Sequence, residues 1–248
     1  MSELLDLQET LYTSRNPTRR WLHRSRRARI EATLRRVAGH GGGRALEIGP
    51  GSGVYLPLLC ELFQSVMASD VEEAFLVQAR EISKEHPNLE AVADDITASR
   101  LPDDHFDVIL CSEVVEHIPD SAAALRTMRR LLKPGGTLVL STPQRHSPLE
   151  LSGRIAFLPG VVQVVRLIYR EPILATGHIN LLTAATARRQ LAEAGFEVLE
   201  SDQSGVYIPL IAEFTGQLGL KLEQWIERRI KGGRLSGLLW IQYYLARA

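Results

Sequence analysis

Two cysteines, Cys60 and Cys111, are all that 248 residues contain, and neither belongs to a CxxC pair or to any metal-type spacing. That argues against a disulfide framework or a structural zinc site and makes a reducing cytoplasm the simplest compartment. Net charge is lacking as well, because 29 Lys plus Arg balance 29 Asp plus Glu. A general nucleic-acid binder is therefore not expected, and any basic surface has to be local. Long apolar runs are missing: the longest, Ile155 to Tyr169, is interrupted by Pro159, Gln163 and Arg166, so no membrane-spanning helix is expected. Met1 to Thr10 is acidic and lacks the charged-then-apolar profile of a secretory leader. Internal repeats and low-complexity segments are absent too.

What is present is enough apolar material, 45% of residues, to bury one sizeable core. Strand-like runs at Ala45 to Ile48, Ser65 to Ser69, Leu89 to Ala93, Phe106 to Cys111 and Thr137 to Ser141 alternate with helical patterns near Val54 to Phe63, Glu72 to Lys84 and Ser121 to Leu132. Such alternation predicts βαβ units around a parallel sheet, an α/β fold. Lys133-Pro134-Gly135-Gly136 marks a helix stop and a turn into a strand, since proline cannot continue a helix and glycine accepts left-handed geometry. A further strand is expected at Phe196 to Ser201, an amphipathic helix at Ile208 to Ile230 and a last strand at Leu238 to Ala246.

Glu47-Ile48-Gly49-Pro50-Gly51-Ser52-Gly53 follows the first strand and opens the first helix, placing backbone amides where a ligand comes close. The spacing is G-x-G-x-G; the dinucleotide fingerprint needs its third glycine where Val54 stands. This loop resembles motif I of the class I S-adenosylmethionine-dependent methyltransferases, and later segments continue the resemblance in order. Phe106-Asp107-Val108-Ile109-Leu110-Cys111-Ser112-Glu113-Val114-Val115-Glu116-His117-Ile118 is similar to the fourth-strand motif of the small-molecule members, of the ubiquinone and menaquinone biosynthesis type. Gly177-His178-Ile179-Asn180 and Ala194-Gly195-Phe196 resemble the family's approach to its sixth strand.

The resemblance implies a Rossmann-like, doubly wound, seven-stranded sheet, mostly parallel with an antiparallel last strand, as a single domain over residues 1–248. Residues 1–38 read as a basic helical appendage, and 143–183 and 206–235 as lid insertions. It also implies S-adenosylmethionine as cofactor, held by Glu47, Gly49, Gly51, Gly53, Asp70, Val71, Asp95, Ile96, Cys111 and Glu113. Asp70 stands where the family accepts hydrogen bonds from both ribose hydroxyls, and Asp95-Ile96 where it meets the adenine, with Asp94 as the alternative in register. Glu113 is placed for the methionine end or the acceptor, and Glu47 for the methionine amino group. Tyr12 and Tyr55 are positions for a cation–π contact or for plain packing.

No Asn/Asp-Pro-Pro-Tyr/Phe element follows the fourth strand, where Cys111-Ser112-Glu113-Val114 stands instead. Because family members that methylate base or amide nitrogen usually carry that element, the resemblance implies an oxygen or carbon acceptor instead: a small, apolar quinone, lipid or natural-product intermediate. Losing a proton from such an acceptor calls for a general base, and His117 and His178 are the candidates because imidazole titrates near neutrality. No metal site is expected; His86, His105 and His146 lack ligand spacing. The apolar stretch Ile155 to Tyr169 and the helix with Ile211, Phe214, Leu218, Leu222 and Trp225 are expected to cover the acceptor. The arginine-rich segment Thr18 to Val37 has three readings: a solvated face, a contact with anionic lipid, or a clamp for an anionic acceptor. Rival functions are a non-catalytic cofactor-binding partner protein and, more distantly, a nicotinamide-dependent oxidoreductase.

Overall fold

The computed structural model describes residues 12–39, 42–156 and 177–248. The apolar stretch from residue 157 onward, including Val161 to Tyr169, lies outside them. Helices are α1 (Pro17–Val37), α2 (Leu56–Leu62), α3 (Leu76–Ser83), α4 (Ser121–Leu131), α5 (Pro148–Ala156), α6 (Ala184–Glu193), α7 (Pro209–Phe214) and α8 (Gly216–Ile230). Strands are β1 (Arg44–Ile48), β2 (Ser65–Asp70), β3 (Leu89–Ala93), β4 (Phe106–Ser112), β5 (Leu132–Pro143), β6 (Glu197–Ser204) and β7 (Ile241–Arg247). Among the described residues, no helix is long and apolar enough to cross a membrane.

The sheet runs β3-β2-β1-β4-β5-β7-β6, with β7 antiparallel to both neighbours. Chain order reverses between β1 and β4, whose ends meet at Ile48 and Cys111. In a doubly wound sheet, ligands bind in the crevice at the carboxyl ends of strands on either side of such a reversal.

Alternate residues of each central strand feed opposite layers because successive side chains point to opposite faces. Ala45, Val66, Val108, Leu110 and Val139 pack with α1 and α2, whereas Leu46, Ile48, Ile109, Cys111, Leu138 and Leu140 pack with α4 and α6. α1 is capped by Asn16, whose Oδ1 accepts from the Thr18 and Arg19 amides at 2.9 and 3.1 Å. Its Leu22, Ile30 and Leu34 belong to the first layer. α1 therefore packs one apolar stripe into the core, while Arg24, Arg27, Arg35 and Arg36 on its other faces stay exposed.

Element ends shift by up to four residues from the sequence reading, and two elements differ in more than their ends. β5 begins at Leu132 rather than Thr137: the Lys133-to-Gly136 turn is absorbed into an irregular first stretch, with a register shift opposite Phe106 and Val108. Lys133 Nζ lies 2.8 and 2.9 Å from the Asp107 carboxylate, which anchors that stretch to β4. The helix expected from Ile208 to Ile230 is two helices, because Gly216 at φ +53° breaks the ladder after Thr215.

Candidate active site

The glycine loop leaves β1 at the reversal point. Gly49, Gly51 and Gly53 all have positive φ, at 66°, 52° and 70°. A Cβ on Gly49 would come within 2.6 Å of Val114 Cγ2, and one on Gly53 within 2.5 Å of Ile82 Cδ1. At Gly49 and Gly53 both the backbone angle and the close packing thus demand glycine, and the Gly53 amide donates to the Pro50 carbonyl at 2.8 Å, which closes the turn. The Gly49 amide donates to the Ser69 carbonyl at 2.8 Å, fixing the loop to β2 beside Asp70.

Glu47 is buried at the base of this loop, and its Oε2 has no hydrogen-bond partner among the described residues. Burial pushes its pKa up to about 8. Asp70 closes β2, accepts from the Glu72 amide at 3.0 Å, and is raised above the usual carboxylate value by burial. Val71 beside it is exposed. After β3, Asp95 Oδ1 is taken up by the Thr97 amide and hydroxyl, both at 2.8 Å. Asp94 accepts from the Arg100 amide through Oδ1 and keeps Oδ2 buried without a partner. Ile96 turns into the α4/α6 layer.

Cys111 requires a correction. Its side chain is fully buried in the α4/α6 layer and its thiol pKa is pushed up by that burial, so the side chain is core and not a ligand contact.

Across the crevice, the end of β4 gathers charge. Glu113 has a left-handed φ of +59°, a strained conformation for this residue. Its carboxylate lies 3.0 Å from Arg26 Nη1 and accepts from Ser141 Oγ at 3.1 Å. Burial raises the Glu113 pKa, while the Arg26 charge opposes that rise. Glu116 is fully buried, accepts from Thr142 Oγ1 at 3.0 Å, and leaves Oε1 unpartnered. Desolvation first, and the Glu113 charge second, push Glu116 well above the usual range.

His117 and His178, sixty-one positions apart in the chain, meet edge to face with ring centroids 5.2 Å apart. His117 Nδ1 lies 3.2 Å from the Gly177 carbonyl, and His178 Nδ1 lies 3.1 Å from Glu150 Oε2. The segment carrying His178 is laid down by the Ile179 and Asn180 amides, which donate to the Glu116 carbonyl at 2.9 and 3.0 Å. Burial, and then the His178 charge, lower the His117 pKa. Glu116, His117 and His178 each offer a ligand atom within 4.8 Å of the others, a grouping of carboxylate and imidazole able to hold a divalent ion. No metal is expected from the spacing of histidines along the chain.

Sequence reasoning overlooks Arg26, Glu116 and Glu150. A signal for Arg26 exists: it stands in the row Leu22, Arg26, Ile30, Leu34, four apart, the one cation on the buried stripe of α1. Tyr55 is buried in the first layer, and the Tyr12 ring lies 6.0 Å from the Arg27 guanidinium. His146 is exposed, and His86 and His105 are half-buried and away from this cluster.

Residues 21–201 match the family model described as "Methyltransferase domain". The chain is 31% identical, over 72% of its length, to a Mycolicibacterium smegmatis protein named "Probable S-adenosylmethionine-dependent methyltransferase", and the match spans 61% of that protein. It is 30% identical to the ubiquinone biosynthesis O-methyltransferase of Aeromonas salmonicida, over 78% of this chain and 79% of that one. With the Pseudomonas aeruginosa protein of the same name the identity is 38%, but only 44% of this chain and 48% of that one are spanned. The chain thus matches from half to three fifths of the length of several relatives. In fold, it is similar to an S-adenosylmethionine-dependent methyltransferase from Mesorhizobium loti, with a TM-score of 0.61, 20% identity, and coverage of 89% of this chain and 96% of that one.

Proposed function

This chain belongs to the methyltransferase-domain family, and on that premise we propose that it moves the methyl group of S-adenosylmethionine to an oxygen of a small, apolar, hydroxylated molecule, with a carbon acceptor as the alternative. The names of the relatives favour oxygen and make quinols the first acceptor class to test. The observation that carries the reading is the buried Glu47 Oε2, without a partner among the described residues, at the base of a loop whose three glycines all take positive φ. An orphaned buried carboxylate at a ligand loop fits a cationic amino group that completes its hydrogen bonding.

The residues fit the cofactor in the following roles. Gly49, Gly51 and Gly53 let the loop backbone approach the methionine end, with Glu47 for its amino group. Arg26, whose Nε has no partner among the described residues, serves its carboxylate. Asp70 offers two acceptor oxygens to the ribose hydroxyls, next to Val71. Either Asp94 or Asp95 receives the adenine amino group, with Ile96 below. Bound there, the cofactor supplies an electrophilic methyl carbon on a positively charged sulfur.

The protein's share of the chemistry is alignment and proton handling. His117 or His178 accepts the proton from the acceptor hydroxyl as its lone pair is committed to the methyl carbon. His117 suits that task because desolvation and the neighbouring His178 shift it toward the neutral form. Glu150 orients the His178 ring through Nδ1, leaving Nε2 for the acceptor. Glu113, backed by Arg26, closes the site between cofactor and acceptor.

Calorimetry and thermal melting with S-adenosylmethionine, S-adenosylhomocysteine and NADH test the first half, and mass spectrometry of a panel of quinols, phenols and fatty acids tests the second. Binding of the two adenosyl ligands and transfer to a quinol hydroxyl are expected. Stabilisation by NADH alone would overturn the assignment, and cofactor binding without transfer to any panel member would favour a non-catalytic partner role.

A further inference from the structure

α7 and α8 bury their acids and expose their apolar side chains. Glu213 is turned to Arg19, 2.5 Å away, and to the Tyr207 hydroxyl. Glu223 is fully buried, accepting from Thr18 Oγ1 and the Ile208 amide, both at 2.7 Å. Glu227 lines a cavity of about 190 Å³ between α1, α8 and β7. No acidic side chain is exposed on either helix.

The outward face instead carries Leu210, Leu218, Leu222 and Trp225, with Leu210 67% and Leu218 74% exposed. Leu218, Leu222 and Trp225 recur at i, i+4 and i+7 and so share one side of α8, and Leu210 is exposed on the helix before it. Lys221, Arg228 and Arg229 are exposed on the same helix, and Arg229 sits 5.2 Å from the Trp225 ring. Among the described residues, none of these three cations pairs with a carboxylate.

We propose that this face is a docking surface for an anionic lipid bilayer. Large apolar side chains rimmed by unpaired cations, with every acid withdrawn, match an interface of acyl chains beneath negative headgroups. A second copy of the chain is a poorer occupant, because a two-fold contact through this face would bring the cations of both copies together with no acid on either helix exposed to offset them. The arginine-rich α1, for which a lipid contact is one of three readings, is largely engaged within the molecule: Arg19 with Glu213, Arg26 with Glu113, Arg29 with Asp202 and Arg36 with Glu200. Of the arginines of α1, Arg20 and Arg24 alone face no acid among the described residues, and they donate to the Ser14 and Tyr12 carbonyls, whereas none of the three exposed cations of α8 meets a carboxylate there. The proposal is independent of the methyl-transfer reading and holds or fails without it.

Flotation of the full chain with vesicles of phosphatidylcholine alone, and of equal parts phosphatidylcholine and phosphatidylglycerol, tests it. Binding to the mixed vesicles that weakens with added salt is expected, with a blue shift in tryptophan emission that disappears in Trp225→Phe. At about a factor of five per cation, K221Q/R228Q/R229Q is expected to weaken partitioning roughly a hundredfold. L218S/L222S removes it while leaving the melting curve unchanged. Equal binding to both vesicle types, wild-type binding by either multiple variant, or no binding at all would overturn the proposal. A concentration-dependent dimer that L218S/L222S abolishes, without vesicle binding, would assign the face to a second copy instead.

Discussion

The Arg26 guanidinium reaches from α1 to within 3.0 Å of the Glu113 carboxylate at the end of β4, and both side chains are largely buried. A helix that reads as a basic surface thereby neutralises an acid whose neighbour, Glu116, is buried and carries like charge when ionised. Arg26→Met leaves Glu113 unpaired and is expected to cost about 3–5 kcal/mol. The double variant R26M/E113Q is expected to regain part of that loss, since no lone charge remains. Urea denaturation of the four proteins of this cycle measures the coupling, and simple additivity would show that the pair contributes nothing.

Glu47 sets a pH dependence of defined sign. Its ordinary value is 4.5 and its folded value about 8. Between these limits the folded chain holds a proton that the unfolded chain has released, so stability falls as pH rises through that window. Glu47→Gln is expected to flatten a slope of up to about 1.4 kcal/mol per pH unit and to be the more stable protein at the alkaline end. Melting curves across the window, without ligand, decide it. Cofactor binding near neutrality is expected to release about one proton, because a cation beside Glu47 favours its ionised form. Calorimetry in buffers of different ionisation enthalpy reads that release, and Glu47→Gln abolishes it.

Asp70→Ala removes the acceptor proposed for the ribose. A loss of about 1.5–3 kcal/mol in S-adenosylmethionine binding is expected, with little change in melting temperature because the Asp70 carboxylate makes local contacts, with the Val71 and Glu72 amides. Unchanged affinity in the folded variant would remove Asp70 from the site.

His117 titrates below the usual histidine value because it is half desolvated and faces His178. If it accepts the acceptor's proton, kcat/KM rises with pH through an acid limb lying below about 6.5. His117→Gln is expected to lower transfer to a hydroxyl roughly 10²–10⁴-fold and to erase that limb. Glu150→Gln, which leaves His178 without its charged partner, is expected to affect kcat more than cofactor affinity. An unaltered pH profile in His117→Gln would transfer the role to His178.

The strand and helix alternation, the G-x-G-x-G loop after β1 and the Lys-Pro-Gly-Gly turn are legible in the sequence. Each is a local matter of side-chain periodicity, of glycine backbone freedom or of proline exclusion. Asp70 and Glu47 are legible for the same reason, lying at strand ends next to that loop. Tertiary structure alone decided that Arg26 meets Glu113, that His178 and Glu150 join His117, that Cys111 faces the core, and that the acids of α7 and α8 turn inward. These outcomes depend on which elements pack together, and on which face of a strand or helix the packing covers. Residues remote in the chain acquire a common low-dielectric surrounding only when the sheet closes over them, so their charges, pKa values and partners follow from the assembled layers and from no local pattern.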